Sequence, residues 1–175
     1  MRLFIFILSL LFPFLPTSAQ PKHEVRAAWV TAVYGLDWPR TRATTPQTIH
    51  KQKEELTDIL DKLKAANFNT VLFQTRTRGD VLYTSAIEPF NSILTGKTGG
   101  NPGYDPLAFA IEECHKRGME CHAWMVTVPL GNKKHVASLG SKSVTKRMKE
   151  ICVPYKSEYF LNPGHPATKE YLMKL

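Results

Sequence analysis

The chain is poor in cysteine, has too few acids to balance its bases, and contains no apolar run long enough to cross a bilayer. Each shortage excludes something. Three cysteines in 175 residues, Cys114, Cys121 and Cys152, cannot make a disulfide scaffold. The core must therefore come from apolar burial, for which a 43% hydrophobic content is enough. The run Leu3–Leu15 falls short of the roughly 20 residues a transmembrane helix needs. It follows Met1-Arg2 and precedes the small residues Thr17-Ser18-Ala19, the pattern of a secretory signal peptide over residues 1–19. The expectation is an exported protein without a stable membrane anchor, cleaved near Ala19-Gln20, with one domain over residues 20–175.

Fifteen acids against 23 bases give a net charge of +8. Much of the excess lies in one stretch, Lys133, Lys134, Lys142, Lys146, Arg147 and Lys149. Such a stretch is either a solvated loop or a surface that favours anionic polymers. No nucleic-acid partner is expected, because no aromatics interleave with this charge on a regular element.

Two tempting motifs also fail. Gly96-Lys97-Thr98 ends like a phosphate loop, but position 91, where that loop needs glycine, is Asn91. No nucleotide, and no other cofactor, is expected. Cys114-His115 and Cys121-His122 resemble two halves of a zinc site. Adjacent residues diverge by about 100° on a helix and to opposite faces on a strand, so neither pair converges on a metal. Cys114 and Cys121 are instead expected to meet between helix and sheet, as inert core thiols or as a disulfide.

What is present is a βα rhythm. Val25–Ala32, Asn69 onward and Met119–Val126 read as buried strands. Thr45-Pro46 and Asp105-Pro106 each open a helix with a capping side chain and a proline in the first turn. Leu56, Ile59, Leu60 and Leu63 give the first helix its apolar stripe, and Asn67 closes it. Leu107, Ala110, Ile111 and Cys114 do the same for the second, which Gly118 ends. A third helix starts at Ala167, after a basic connection. Strands alternating with helices predict an α/β fold with a parallel sheet and crossover helices.

The central strand begins apolar and turns polar toward its end: Val71, Leu72, Phe73, Gln74, Arg76, then Gly79-Asp80. A buried parallel strand that delivers groups to a site at its carboxyl edge has this pattern. On the third strand His122 and Trp124 share a face, opposite Cys121, Ala123 and Met125. An aromatic beside hydrogen-bonding groups suits a sugar, whose ring face stacks while its hydroxyls bond. Glycosidic hydrolysis needs two carboxylates; Asp37 and Asp80 are the candidates nearest strand ends, with Glu88 and Glu158 on loops.

The order of these pieces resembles the glycosyl hydrolase-like 10 family of exported bacterial proteins. The resemblance is carried by Arg26-Ala27-Ala28-Trp29-Val30-Thr31, Leu36-Asp37-Trp38-Pro39, Phe73-Gln74-Thr75-Arg76, Gly79-Asp80-Val81-Leu82-Tyr83, Glu88-Pro89-Phe90, His122-Ala123-Trp124 and Asn162-Pro163-Gly164. It implies the N-terminal portion, about three βα units, of a (β/α)₈ barrel, truncated at Leu175 inside the third helix. It also implies hydrolysis of a bacterial polysaccharide, with peptidoglycan glycan strands as the substrate class. The family's acidic stretch on the fourth strand is expected beyond Leu175. A non-catalytic envelope glycan-binding module is the alternative. Gln74, Arg76, His122 and Trp124, with Asp37 and Trp38, are the expected substrate-binding residues, and Asp80 is the candidate catalytic one. One departure is local: where relatives often carry Asn-Pro-Tyr after His-Ala-Trp, this chain has Met125-Val126-Thr127.

Overall fold

The computed structural model describes residues 24–175; the signal peptide expected over residues 1–19 lies outside them. Strands β1 (Ala27–Val30), β2 (Thr70–Arg76) and β3 (Glu120–Met125) pair in parallel, in that order. Helix α1 (Pro46–Ala65) connects the first two and α2 (Pro106–Lys116) the second two. The fold is mixed α/β.

Both helices start where their caps require. Thr45 accepts from the Thr48 amide at 3.3 Å, while Thr48 Oγ1 accepts from the Thr45 amide at 2.8 Å. Asp105 accepts from the Ala108 amide at 3.0 Å. Asn67 ends the first crossover in the left-handed region (φ +61°), a conformation asparagine tolerates better than most side chains.

The period of two along β2 sorts the layers. Val71 and Phe73 point to the helices and pack with Leu56, Leu60, Ala110 and Cys114. Burying each leucine there stabilises the fold by about 1.5–3 kcal/mol. Glu113 is buried on α2 while Ile111 is only half-buried, because Lys116 and Arg117 neutralise the Glu113 carboxylate at 2.7 and 2.6 Å. Cys121 packs against the same cluster as Cys114, and both are free thiols. They meet between helix and sheet, in the unbonded form. Cys121 and burial together push the Cys114 thiol far up.

The opposite sheet face is open. Register places Trp29 beside Leu72 and Leu72 beside His122. Trp29 is 59% exposed, and its ring meets Trp124 edge-on, with centroids 4.6 Å apart.

The basic connection holds more structure than its sequence suggests. Strands β4 (Pro129–Asn132), β5 (Cys152–Tyr155) and β6 (Glu158–Leu161) form a small antiparallel sheet in the order β4-β6-β5. Short helices α3 (Lys133–Ser138) and α4 (Val144–Arg147) lie between β4 and β5, and α5 (Pro166–Met173) follows. Glu158 is therefore a strand residue, not a loop residue. Leu130, Val136, Val144, Ile151, Leu161 and Tyr171 give this unit its own apolar cluster. It docks on the loop after β2, where Gly79 (φ +79°) lies beneath Leu130 and Leu139. His135 Nε2 donates to the Arg78 carbonyl there at 2.9 Å.

Candidate functional site

The three parallel strands release their loops at one edge, the carboxyl edge of the sheet. Gln74 shapes the first of them. Its Oε1 accepts from Thr31 Oγ1 at 2.8 Å and from the Ala32 and Val33 amides at 2.8 and 2.9 Å. Asp37 Oδ2 accepts from the Thr31 amide at 2.8 Å. Between them the chain turns through Tyr34 at φ +56°. A bulky residue in that region is rare and held by its surroundings.

The result is an outward-facing tyrosine, 75% exposed. Arg78, from the loop after β2, lies over it: its guanidinium carbon is 5.0 Å from the ring centroid and Nη1 donates to the Tyr34 hydroxyl at 2.9 Å. Among the described residues Arg78 Nε has no hydrogen-bond partner. Sequence reasoning had not singled out this pair. Its only signals were an aromatic in a Gly-containing turn and a basic residue before Gly79.

Arg76, expected to face a sugar, is instead fully enclosed. Nε and Nη2 bind the two oxygens of Glu88, Nη1 donates to the carbonyls of Val126 and Thr127, and the Tyr171 hydroxyl donates to Glu88. Burial alone would pull the guanidinium down. The Glu88 bonds outweigh it and hold it above its ordinary value. Burial and the Glu88 charge push the Tyr171 hydroxyl well up, so it stays a neutral donor. With four hydrogen bonds to protein partners and no solvent exposure, Arg76 braces the exits of β2 and β3 and does not face a ligand.

Asp80 is likewise enclosed. Thr77 Oγ1 and the Arg78 amide donate to its Oδ1, and His135 Nε2 lies 3.6 Å from Oδ2. Asn91 completes the chain by donating to Thr77 Oγ1 at 2.8 Å. At 1% exposure the carboxylate closes the Thr77–Asp80 turn and does not reach a substrate. Trp38, expected on the ligand side, faces the core at 0% exposure, against Phe73, with Nε1 donating to the Gln52 carbonyl at 2.8 Å. Gln74, at 3% exposure, commits its Oε1 to the β1 loop.

Three expected residues stay accessible. Asp37 lines two shallow clefts of about 190 and 260 Å³ beside α1, with Arg40 in both. Neither cleft includes a residue of β2 or β3. His122 lies on the open face, 3.0 Å from Glu120, and Trp124 stands beside Trp29. The structure thus groups Trp29, His122 and Trp124 on the sheet, with Tyr34 and Arg78 at its edge; Asp37 joins them only through the larger cleft, which it shares with Trp29 on the α1 side. Exposed aromatic faces beside a guanidinium and an imidazole can stack on a sugar ring and bond its hydroxyls. Among the described residues no cluster of His, Cys, Asp or Glu could hold a metal ion.

The profile of the glycosyl hydrolase-like 10 family matches residues 24–175, all of the described chain. The chain belongs to that family. It is 33% identical over 163 residues to the glycosyl hydrolase YngK of Bacillus subtilis (strain 168), covering 93% of this chain and 31% of the relative. It is 30% identical over 172 residues to the glycosyl hydrolase DigH of Escherichia coli (strain K12), covering 91% and 39%. The chain thus spans 31–39% of the length of these curated relatives. Among solved structures it is similar to the noncanonic maltogenic alpha-amylase AmyB from Thermotoga neapolitana. That likeness has a TM-score of 0.49 and 14% identity, over 84% of this chain and 33% of the other.

Proposed function

We propose that this chain is the N-terminal portion of an exported bacterial glycoside hydrolase whose substrate is a cell-wall polysaccharide, with peptidoglycan glycan strands as the class. The observation that carries the reading is the family match across residues 24–175. The geometry supports it: three parallel strands follow one another in chain order with helices on one face, as the first three βα units of a (β/α)₈ barrel would. On that reading the open face with Trp29, His122 and Trp124 is the barrel interior. Tyr34 and Arg78 stand at the end where such barrels bind substrate, while Gln74, Arg76 and Asp80 hold the loops in place.

One observation favours a second reading, a glycan-binding module, for this chain alone. Hydrolysis needs two carboxylates flanking the bond. Of the candidates, Asp80 and Glu88 are buried, Glu158 is half-buried in the small antiparallel sheet, and only Asp37 is exposed. The cutting pair then comes from other strands of the parent. Reducing-end release from purified peptidoglycan glycan strands and from neutral plant glycans tests both readings, using the full-length gene product beside this chain. The hydrolase reading expects release by the parent from the cell-wall glycan. Release from neither substrate removes it, and retention of glycan without cleavage by either protein establishes the binding module.

A further inference from the structure

The excess positive charge is not spread evenly, and the site above does not use it. Within the unit of β4–β6, Lys133 and Lys134 open α3 while Lys156 occupies the tip of the β5–β6 hairpin. Both elements border one concavity of about 500 Å³, lined by these three lysines with Asn132, Ser157 and Glu158. All three lysines are exposed, and among the described residues none has a carboxylate within ion-pair distance.

Lys156 carries a further mark. It adopts φ +53°, a left-handed turn position where glycine or asparagine costs less. Its ammonium lies 5.4 Å from the centroid of the neighbouring Tyr155 ring, at the rim of the concavity it shares with the lysines of α3. The unit also sits on the site side of the sheet. His135, the neighbour of Lys134, hydrogen-bonds the backbone of Arg78, the residue that stacks on Tyr34.

We propose that Lys133, Lys134 and Lys156 form a subsite for the carboxylates of an acidic glycan, extending the sugar-binding surface at the strand exits. The inference rests on the glycan reading above and names the charge of the substrate. Lysine is a compact point charge that pairs with single anions without the fork geometry of arginine. Glu158 in the same concavity tempers the potential. That suits singly charged groups spaced along a chain better than a phosphate monoester, and the glycan reading makes those groups carboxylates rather than phosphodiesters.

Affinity electrophoresis of the full chain through gels containing polygalacturonate, a polymer of glycerol phosphate, or neutral dextran tests the proposal. Retardation is expected in polygalacturonate, weakening as sodium chloride rises from 20 to about 300 mM, and not in dextran. The triple variant Lys133→Gln, Lys134→Gln, Lys156→Gln should lose at least about fivefold in affinity. A control with the same change in net charge, Lys51→Gln, Lys62→Gln, Lys64→Gln on the exposed side of α1, should keep it. Equal losses in both variants would reduce the effect to net charge and overturn the subsite. So would full binding by the first variant, equal retardation by dextran, or stronger retardation by the phosphate polymer. Binding is read without cleavage, so failure of the hydrolase reading shows separately, as absent reducing-end release with lysine-dependent retardation intact.

Discussion

The guanidinium of Arg76 and the carboxylate of Glu88 face each other through two parallel hydrogen bonds, Nε to Oε2 at 2.8 Å and Nη2 to Oε1 at 2.7 Å, with both side chains shut off from solvent. Removing one partner strands the other as an uncompensated buried charge. Arg76→Met or Glu88→Ala is expected to lower stability by about 3–5 kcal/mol. Tyr171→Phe, which deletes one bond to a charged acceptor, should cost about 1.5–3 kcal/mol. Urea unfolding followed by circular dichroism measures all three. Near-neutral effects would mean that water reaches the pair.

This pair also marks where the sequence stops being legible. Alternation along β2 placed Gln74 and Arg76 on one face, but alternation does not distinguish a side chain that meets a ligand from one that meets Glu88. That contact depends on how the chain returns after β2, and no local pattern records it. Trp38 shows the same gap: its indole N–H is satisfied by a backbone carbonyl of α1, so an aromatic in a polar loop is a core residue. The parallel strands, both helix caps and the parity of Cys121 against His122 were readable because each follows from a short-range period or a capping rule. The β4–β6 sheet was not. Its strands are four residues long and carry Pro129, Gly131 and Pro154, which break strand signals.

Tyr34 and Trp124 are expected to carry glycan affinity without carrying the fold. Tyr34→Ala and Trp124→Ala should each weaken retention of the preferred oligosaccharide by about 1 kcal/mol or more, the cost of truncating an aromatic anchor. For Tyr34, the unfolding midpoint should change little, because the side chain is 75% exposed and alanine keeps the Cβ that makes the left-handed backbone costly. Isothermal titration against thermal unfolding separates the two effects. Unchanged affinity in both variants would remove the sugar platform from the strand exits.

The acid limb of the stability curve should depend on Glu113. Hydrogen bonds from Lys116 first and Arg117 next hold its carboxyl below the ordinary value. A folded pKa below the unfolded one stabilises the protein fully above the unfolded value, about 4.3 for glutamate. That contribution is lost as pH falls through the folded value. Glu113→Gln is therefore expected to flatten the loss of stability below about pH 4.3 and to lower stability at neutral pH. Denaturant titrations from pH 3 to 7 check it, and an unchanged acid slope would count against the ion cluster.

Gly131 is buried in β4 at φ +87°, and a Cβ there would stand 2.8 Å from His135 Cδ2. Gly131→Ala should cost more than about 1 kcal/mol, combining an unfavourable backbone with a displaced imidazole. Proteolysis should then cut within residues 129–161 before it cuts elsewhere. A variant as resistant as the unsubstituted chain would show that β4 relaxes around the added Cβ.

The hydroxyl that completes the coordination of Glu88 comes from Tyr171, 83 positions later in the chain. During synthesis β2 and the Glu88 loop leave the ribosome well before α5, so the buried acid waits with one acceptor position unfilled. Long-range closures of this kind raise contact order and slow folding. Helix α5 acts as a latch: the first half of the chain consolidates only once this helix has emerged and docked.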